Sequence, residues 1–361
     1  MPRRFSASEA MKRLLAALAC SFALTAAAIE PSAGVAAVAA YSGADRTQKL
    51  VAGARKEGEL MLYSSLTQED QLRLADDFRK RYGVTLKFWR GSQAHILQRA
   101  ASEARAGRFD FDVIETNAPQ LEAIAREGLL QRMNSPLAAQ ELMAETVPTH
   151  GEWMPDRLNL VVYAYNTSAV KPAEIPKDWP DLLDARWRNR IGMESTNVEW
   201  FAAVVESMGE EPGLEHFRRM GENGVAVRTG HTHSTGRVVA GEIPLMMGVY
   251  SHDVDRMKAK GAPVDWFVLP PAVILPSAVA VSRRAPHPHA AALFYDYMLT
   301  EGQRFYVEMF RVPANKSYDS AVRRLLREGQ AFTIVNAQRG IDDYDKWLRL
   351  YKKLIVDRSQ H

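Results

Sequence analysis

Glu59-Leu-Met-Leu-Tyr63, Val84-Thr-Leu-Lys-Phe-Trp89 and Phe111-Asp-Val-Ile-Glu115 are three short apolar runs of strand length. Gln68–Tyr82 and Gln93–Ala106 separate them, and Pro119–Glu127 follows the last. Leu72, Leu74, Phe78 and Tyr82 track the faces of a helix, and Gly83 stands where a left-handed C-terminal stop is favoured. The alternation reads βαβαβα, which predicts a parallel sheet covered by helices on both faces.

The pattern continues outward from that stretch. Leu158–Tyr165 is a long apolar strand. Ile191-Gly-Met193, Gly224–Arg228, Ile243–Val249, Val264–Leu269 and Ala278–Ser282 are shorter ones. Helices are expected from Glu194-Ser-Thr-Asn197 through Met208, over Ser234–Ala240 and over Ser251–Lys260. After Ser282 only helices follow: Pro288–Leu299, Glu301–Phe310, Asp319–Glu328 and Asp343–Ile355. No low-complexity linker divides the chain, so two lobes joined by more than one crossing fit better than two beads on a string.

Composition narrows the class. The 361 residues carry 46 Lys+Arg against 43 Asp+Glu, and 47% are hydrophobic. That mixture excludes a disordered chain. A balance this even gives no nucleic-acid signal. Arg3, Arg4, Lys12 and Arg13 precede the apolar run Leu14–Ile29, and small residues end at Ala40, so residues 1–40 read as a signal peptide cleaved near Ala39 or Ala40. Its removal takes away four basic and two acidic residues and leaves a net charge of +1. It also removes Cys20, the single cysteine, which excludes thiol catalysis in an exported, periplasmic chain.

Ligands of open α/β sheets bind beyond the carboxyl ends of strands, where helix N-termini point free N–H groups outward. The residues in those places are Ser65 and Thr67, Arg90 and Ser92, Glu115, Thr116 and Asn117, Thr196 and Asn197, His231, and Tyr250 and His252. Each Ser, Thr or Asn is also an ordinary N-cap, so the signal rises only if the loops converge. Arg90, at a helix entrance, suits an anion or is a surface side chain, and Arg157, before a strand, suits an anion or a lobe-bridging salt bridge. Trp200 and Tyr250 suit either a ligand wall or the core. His231-x-His233 is weak as a metal pair, because a helix start does not put both on one side. No G-x-S-x-G, H-E-x-x-H, Walker or dinucleotide pattern occurs, so an enzyme is not expected.

The sequence resembles the periplasmic solute-binding proteins of bacterial ABC importers, in the branch that includes ferric-ion-binding proteins. The resemblance rests on Leu62-Tyr63-Ser64-Ser65, Phe111-Asp112-Val113-Ile114, Val161-Val162-Tyr163-Ala164-Tyr165-Asn166-Thr167, Trp187-Arg188-Asn189-Arg190-Ile191-Gly192, Ala240-Gly241-Glu242-Ile243-Pro244 and the stretch Pro288–Gly302. It implies the type II bilobed α/β fold: two mixed sheets flanked by helices, with a hinge between lobes. Lobe 1 is then 41–158 plus 272–361 and lobe 2 is 159–271. Crossings fall near Val161–Tyr165 and Leu269–Ala280.

In ferric-binding relatives iron is held by a histidine, a glutamate and two adjacent tyrosines. Those places carry Thr67, Thr116, Ser251 and His252 here, with Glu115 and Tyr250 adjacent. The resemblance therefore leaves no resident cofactor or metal expected, and an iron set, if any, of Glu115, Tyr250 and His252. The family's anion place matches Thr196-Asn197-Val198-Glu199, and its cleft asparagine and arginine match His231 and Arg157. The implied function is a monomer that captures a small anion of carboxylate or phosphonate type for an inner-membrane ABC permease, with no nucleic-acid partner. Ferric iron or iron-complex uptake is the alternative, and ligand presentation to a periplasmic sensor is the alternative of another class. Pocket histidines that charge on binding would raise affinity below about pH 6.5.

Overall fold

The strands of the first stretch form as read. The computed structural model describes residues 30–136 and 142–360. The expected leader up to residue 29, with Cys20, lies outside the described residues. Strand β1 (Glu59–Ser64) pairs in parallel with β2 (Thr85–Arg90) and with β3 (Val113–Asn117). Helix α3 (Gln68–Tyr82) begins where Thr67 Oγ1 accepts from Asp70 N–H and ends at Gly83, whose φ is 75°. Helix α4 (Gln93–Arg105) begins where Ser92 accepts from His95 N–H. These caps satisfy end groups that the helix itself cannot. Helix α5 (Ala118–Arg126) follows β3 directly.

Two helices precede β1. Helix α2 is Arg46–Glu57, and helix α1 is Ala33–Ala40, capped by Ser32. Val35 and Ala39 of α1 are buried in the same cluster as Leu60, Leu62 and Phe294. Asn134 N–H donates to Ala39 C=O at 2.9 Å, and Ser32 N–H to Arg283 C=O at 3.2 Å. Residues 33–40 were expected to leave with a leader; here they are a packed helix, because Val35 and Ala39 find apolar partners.

The second half is built on two long strands. β5 (Met154–Asn166) has 13 residues and β10 (Ala272–Ser282) has 11, and they run antiparallel side by side. β10 also pairs with β3, while β5 pairs with β8 (Leu245–Tyr250). β8 is parallel to β6 (Ile191–Glu194), and β6 to β7 (Val225–Arg228). The short β4 (Leu130–Gln131) pairs with β10, and β9 (Val264–Phe267) with β5. Two separate sheets are expected from the sequence; the strands instead form one path, β2-β1-β3-β10-β5-β8-β6-β7. The physical reason is the length of β5 and β10, which carry backbone pairing from one strand set to the other. The register places Asn117, Ser277 and Arg157 beside one another, and puts Tyr250, at the carboxyl end of β8, opposite Val161. The carboxyl ends of the two strand sets therefore meet across one short stretch of β5.

Helices α6 (Val198–Met208), α7 (Glu210–Glu222), α8 (His231–Val239) and α9 (Ser251–Ala259) belong to this half. α10 (Pro288–Leu299) and α11 (Gln303–Glu308) return to the first. Later come α12 (Ala321–Arg327), α13 (Ala337–Asp342) and α14 (Tyr344–Tyr351). Trp347, Tyr351, Leu354 and Ile355 join the core of Phe201 and Phe217. Tyr351 also donates to Glu194 C=O at 2.6 Å. The aromatic face of the C-terminal segment, a segment expected with residues 41–158, packs against α6 and α7. No helix among the described residues is long and apolar enough to cross a membrane.

Candidate functional site

Where the strand ends meet there is a cavity of about 300 Å³. Of the residues expected in a site, Ser65, Thr67, Arg90, Ser92, Asn117, Arg157, His231, Tyr250 and His252 line it. They converge because β1, β2, β3 and β8 end together, and because α3, α4, α8 and α9 start there. Four helix N-termini bring the positive ends of their dipoles to one volume. A second cavity, about 120 Å³, lies apart from these strand ends, with Val198, Ala203 and Trp347 in its wall.

Arg157 is the hub on the floor. Its side chain is 4% exposed and sits 2.7 Å from Glu115 Oε1. One guanidinium nitrogen donates to Ser277 Oγ at 2.7 Å and to Asn159 Oδ1 at 2.9 Å. Ser277 Oγ in turn donates to Asn117 Oδ1 at 2.8 Å. Burial alone would lower the affinity of Arg157 for its proton, but Glu115 and Asp156 outweigh that and raise it. A fixed charge in such a network is pre-oriented for a planar or tetrahedral anion.

The second wall is a stack of rings. His231 and Tyr250 lie 3.9 Å apart between centroids, and Tyr250 and His252 5.4 Å. His231 Nδ1 donates to Gly248 C=O at 3.1 Å. Arg311 donates to His252 Nε2 at 3.0 Å. A guanidinium has only donors, so that nitrogen carries no proton. Burial first, then Arg311, Arg157, Arg256 and His231, hold the His252 pKa well below the usual imidazole value. His252 is thus a neutral wall group, which removes it from the expected charging below pH 6.5. Burial likewise pushes the Tyr250 phenol well above its ordinary pKa.

Five expected residues are not in the cavity wall. Glu115 is fully buried, accepting from Ser64 Oγ at 2.6 Å and pairing with Arg157. Thr116 is fully buried on the neighbouring position of β3. Thr196 is turned to Glu194, whose Oε2 accepts from Thr196 N–H at 2.6 Å and from its hydroxyl at 2.7 Å. The other oxygen of Glu194 accepts from Gly230 N–H at 2.8 Å. The anion place expected at Thr196–Asn197 is therefore occupied by a carboxylate of the chain itself. Asn197 donates to Gly248 C=O at 2.5 Å and is buried. Trp200 lies inside the core, 5.8 Å from Phe217 and 6.4 Å from Trp179 between centroids.

The model of bacterial extracellular solute-binding proteins matches residues 111–340. The chain belongs to that family. Over 171 residues it is 24% identical to an Fe(3+)-binding periplasmic protein of Serratia marcescens, covering 46% of this chain and 50% of that one. It thus spans about half the length of that curated relative. Iron-bound HitA of Pseudomonas aeruginosa has a similar fold, with a TM-score of 0.72 at 22% identity over 82% of this chain and 99% of that one. The binding protein AfuA of Actinobacillus pleuropneumoniae, with fructose-6-phosphate bound, gives 0.71 at 19% identity over 83% and 99%. These likenesses establish the type II periplasmic-binding-protein fold.

In this solute-binding protein several wall residues escaped the sequence reading: Gln93, Asn159, Asp253 and Arg311. Asn159 sits mid-strand, two positions from Arg157 and so on the same face. Arg311 arrives from a loop after α11 and pairs with Asp70. Burial alone would raise the Asp70 pKa, but Arg311 and Arg256 hold it below the usual carboxylate range. Phe310, just before Arg311, has φ of 62°, a left-handed conformation uncommon for an aromatic residue. No sequence signal marks either position.

Proposed function

We propose that this chain captures a small anionic solute of carboxylate or phosphonate type and presents it to an ABC permease. The observation that carries this is the wall chemistry: Arg90, Arg157 and Arg311 converge with four helix N-termini, and Asp253 is the one carboxylate among the lining residues. The ring stack supplies an apolar face for the body of the solute. In this reading the lobes, 41–158 plus 272–361 and 159–271, close by rotation about β5 and β10.

Ferric iron finds weaker support. Of Glu115, Tyr250 and His252, the first is turned to Arg157, the second keeps its phenol proton, and the third has Nε2 engaged by Arg311. Ferric iron requires hard anionic oxygens, and the arginines repel it. A thermal-shift series with carboxylates, alkylphosphonates and Fe(III) tests the choice. A ligand at one hundred times its Kd adds about 2.7 kcal/mol. Stabilisation by Fe(III) alone, with a phenolate-to-iron colour, would overturn the anion reading.

A further inference from the structure

Arg157 is matched by Glu115, and Arg311 by Asp70. Removing these pairs leaves two opposite charges in the cavity wall. Arg90 donates through Nε to Leu66 C=O at 2.9 Å and has no carboxylate partner among the described residues. Asp253, in the first turn of α9, accepts from Thr232 Oγ1 at 3.0 Å through Oδ1. Its nearest ring is His252, at 3.9 Å, whose Nε2 is occupied as an acceptor from Arg311. Through the rest of its carboxylate Asp253 faces the cavity, which it lines with no Lys or Arg paired to it among the described residues.

A carboxylate in a cavity wall with no cation of the chain beside it is an open acceptor for a cationic group that a ligand brings. Arg90 stands at the end of β2 on the first half, and Asp253 at the start of α9 on the second. The unmatched positive and negative charges thus come from opposite halves, with the stacked rings of His231, Tyr250 and His252 in the same wall. We infer that Asp253 is a specificity-determining residue that selects, among small anions, those carrying an ammonium group: the ligand class is a small zwitterion. This rests on the anion reading above. The anionic end faces Arg90 and Arg157, and the ammonium donates to the Asp253 carboxylate, whose charge a hydroxyl ligand would leave unmatched. Such a ligand also ties the two halves together through its two ends, which rewards closure.

The test uses calorimetry on the full exported chain with matched probes. These are aminoalkylphosphonates with two to four methylenes, their des-amino alkylphosphonates and their hydroxyl analogues. In wild type at least one ammonium probe binds about tenfold or more tighter than both of its counterparts, in line with a charge-assisted hydrogen bond. Asp253→Asn reduces that preference to about threefold or less, through lost affinity for the ammonium probe. A cooperative thermal melt near that of wild type shows that the variant is folded. If Asp253→Asn does not fold, Thr232→Val, which frees the carboxylate from its anchor, is expected to cut the preference at least about threefold. Equal binding of all three probes by wild type, or a preference that survives both variants, overturns the inference and leaves the anion reading standing. Failure of every anion to bind defeats both.

Discussion

Asp156 lies directly under the site and offers a sharp test of its electrostatics. The side chain is fully buried. Tyr306 OH donates to Oδ2, and Oδ1 has no partner among the described residues. Burial, and then the charge of Glu115, push its pKa up to about 7 from an ordinary 3.8. Asp156 and Glu115 share one cation, Arg157, so the second carboxylate keeps its proton. Between those two values the unfolded chain has released that proton and the folded chain has not. Stability from this group is therefore full below the unfolded pKa and falls as pH rises toward the folded one. The slope for one proton is about 1.4 kcal/mol per pH unit. Asp156→Asn has no such proton. Its stability relative to wild type should rise by about 1.4 kcal/mol between pH 5 and pH 6, while other titrating groups cancel in the difference. Urea unfolding of both proteins, followed by tryptophan fluorescence at each pH, reads this directly. Parallel curves across that interval would refute the account of a shared cation.

Other perturbations separate the wall from the core. Trp200→Ala should cost about 3–5 kcal/mol of stability, as for a large buried aromatic, yet leave ligand affinity within about threefold by calorimetry. Gly248→Ala places a methyl about 2.0 Å from Asn197 Nδ2 at a φ of 81°. It should destabilise by at least about 1–3 kcal/mol in chemical denaturation and weaken binding, because the same carbonyl anchors His231. A chain begun at Tyr41 loses α1 and should melt several degrees below one begun at Pro31. Intact-mass measurement of the exported protein should accordingly find Ser32–Ala40 retained.

What the sequence reveals depends on the range of the interaction. Thr67, Ser92 and Asn117 are legible because a strand end and a helix start determine them locally. The long strands were found, but β10 begins at Ala272 rather than at Ala278 because pairing with β5 extends it. Thr196 looked like Thr67 by every local rule. Glu194, two residues earlier, captures its amide and hydroxyl, and only the fold shows which way that carboxylate turns. Trp200 suits a ligand wall or the core equally by sequence, and its place early in α6, against Trp179 and Phe217, decides for the core. Arg311 and Asp253 were missed because their meaning comes from partners far away in the chain, Asp70 for one and the cavity for the other. The apolar leader pattern ran on through Ala33–Ala40 because small residues suit both a cleavage region and close helix packing.

Glu194 has a consequence for how such a receptor changes its diet. The loop before α6 keeps a tethered guest, delivered by the same strand that builds the loop. An incoming solute never bids for those amides, whatever its concentration, so substitutions there alter the rigidity of the half rather than its appetite. Selectivity is then left to the opposite rim and to α8 and α9. A variant with neutral glutamine at Glu194 would weaken that tether while leaving the rest of the wall intact, and so would offer a route by which one scaffold acquires a second acceptor for negative charge.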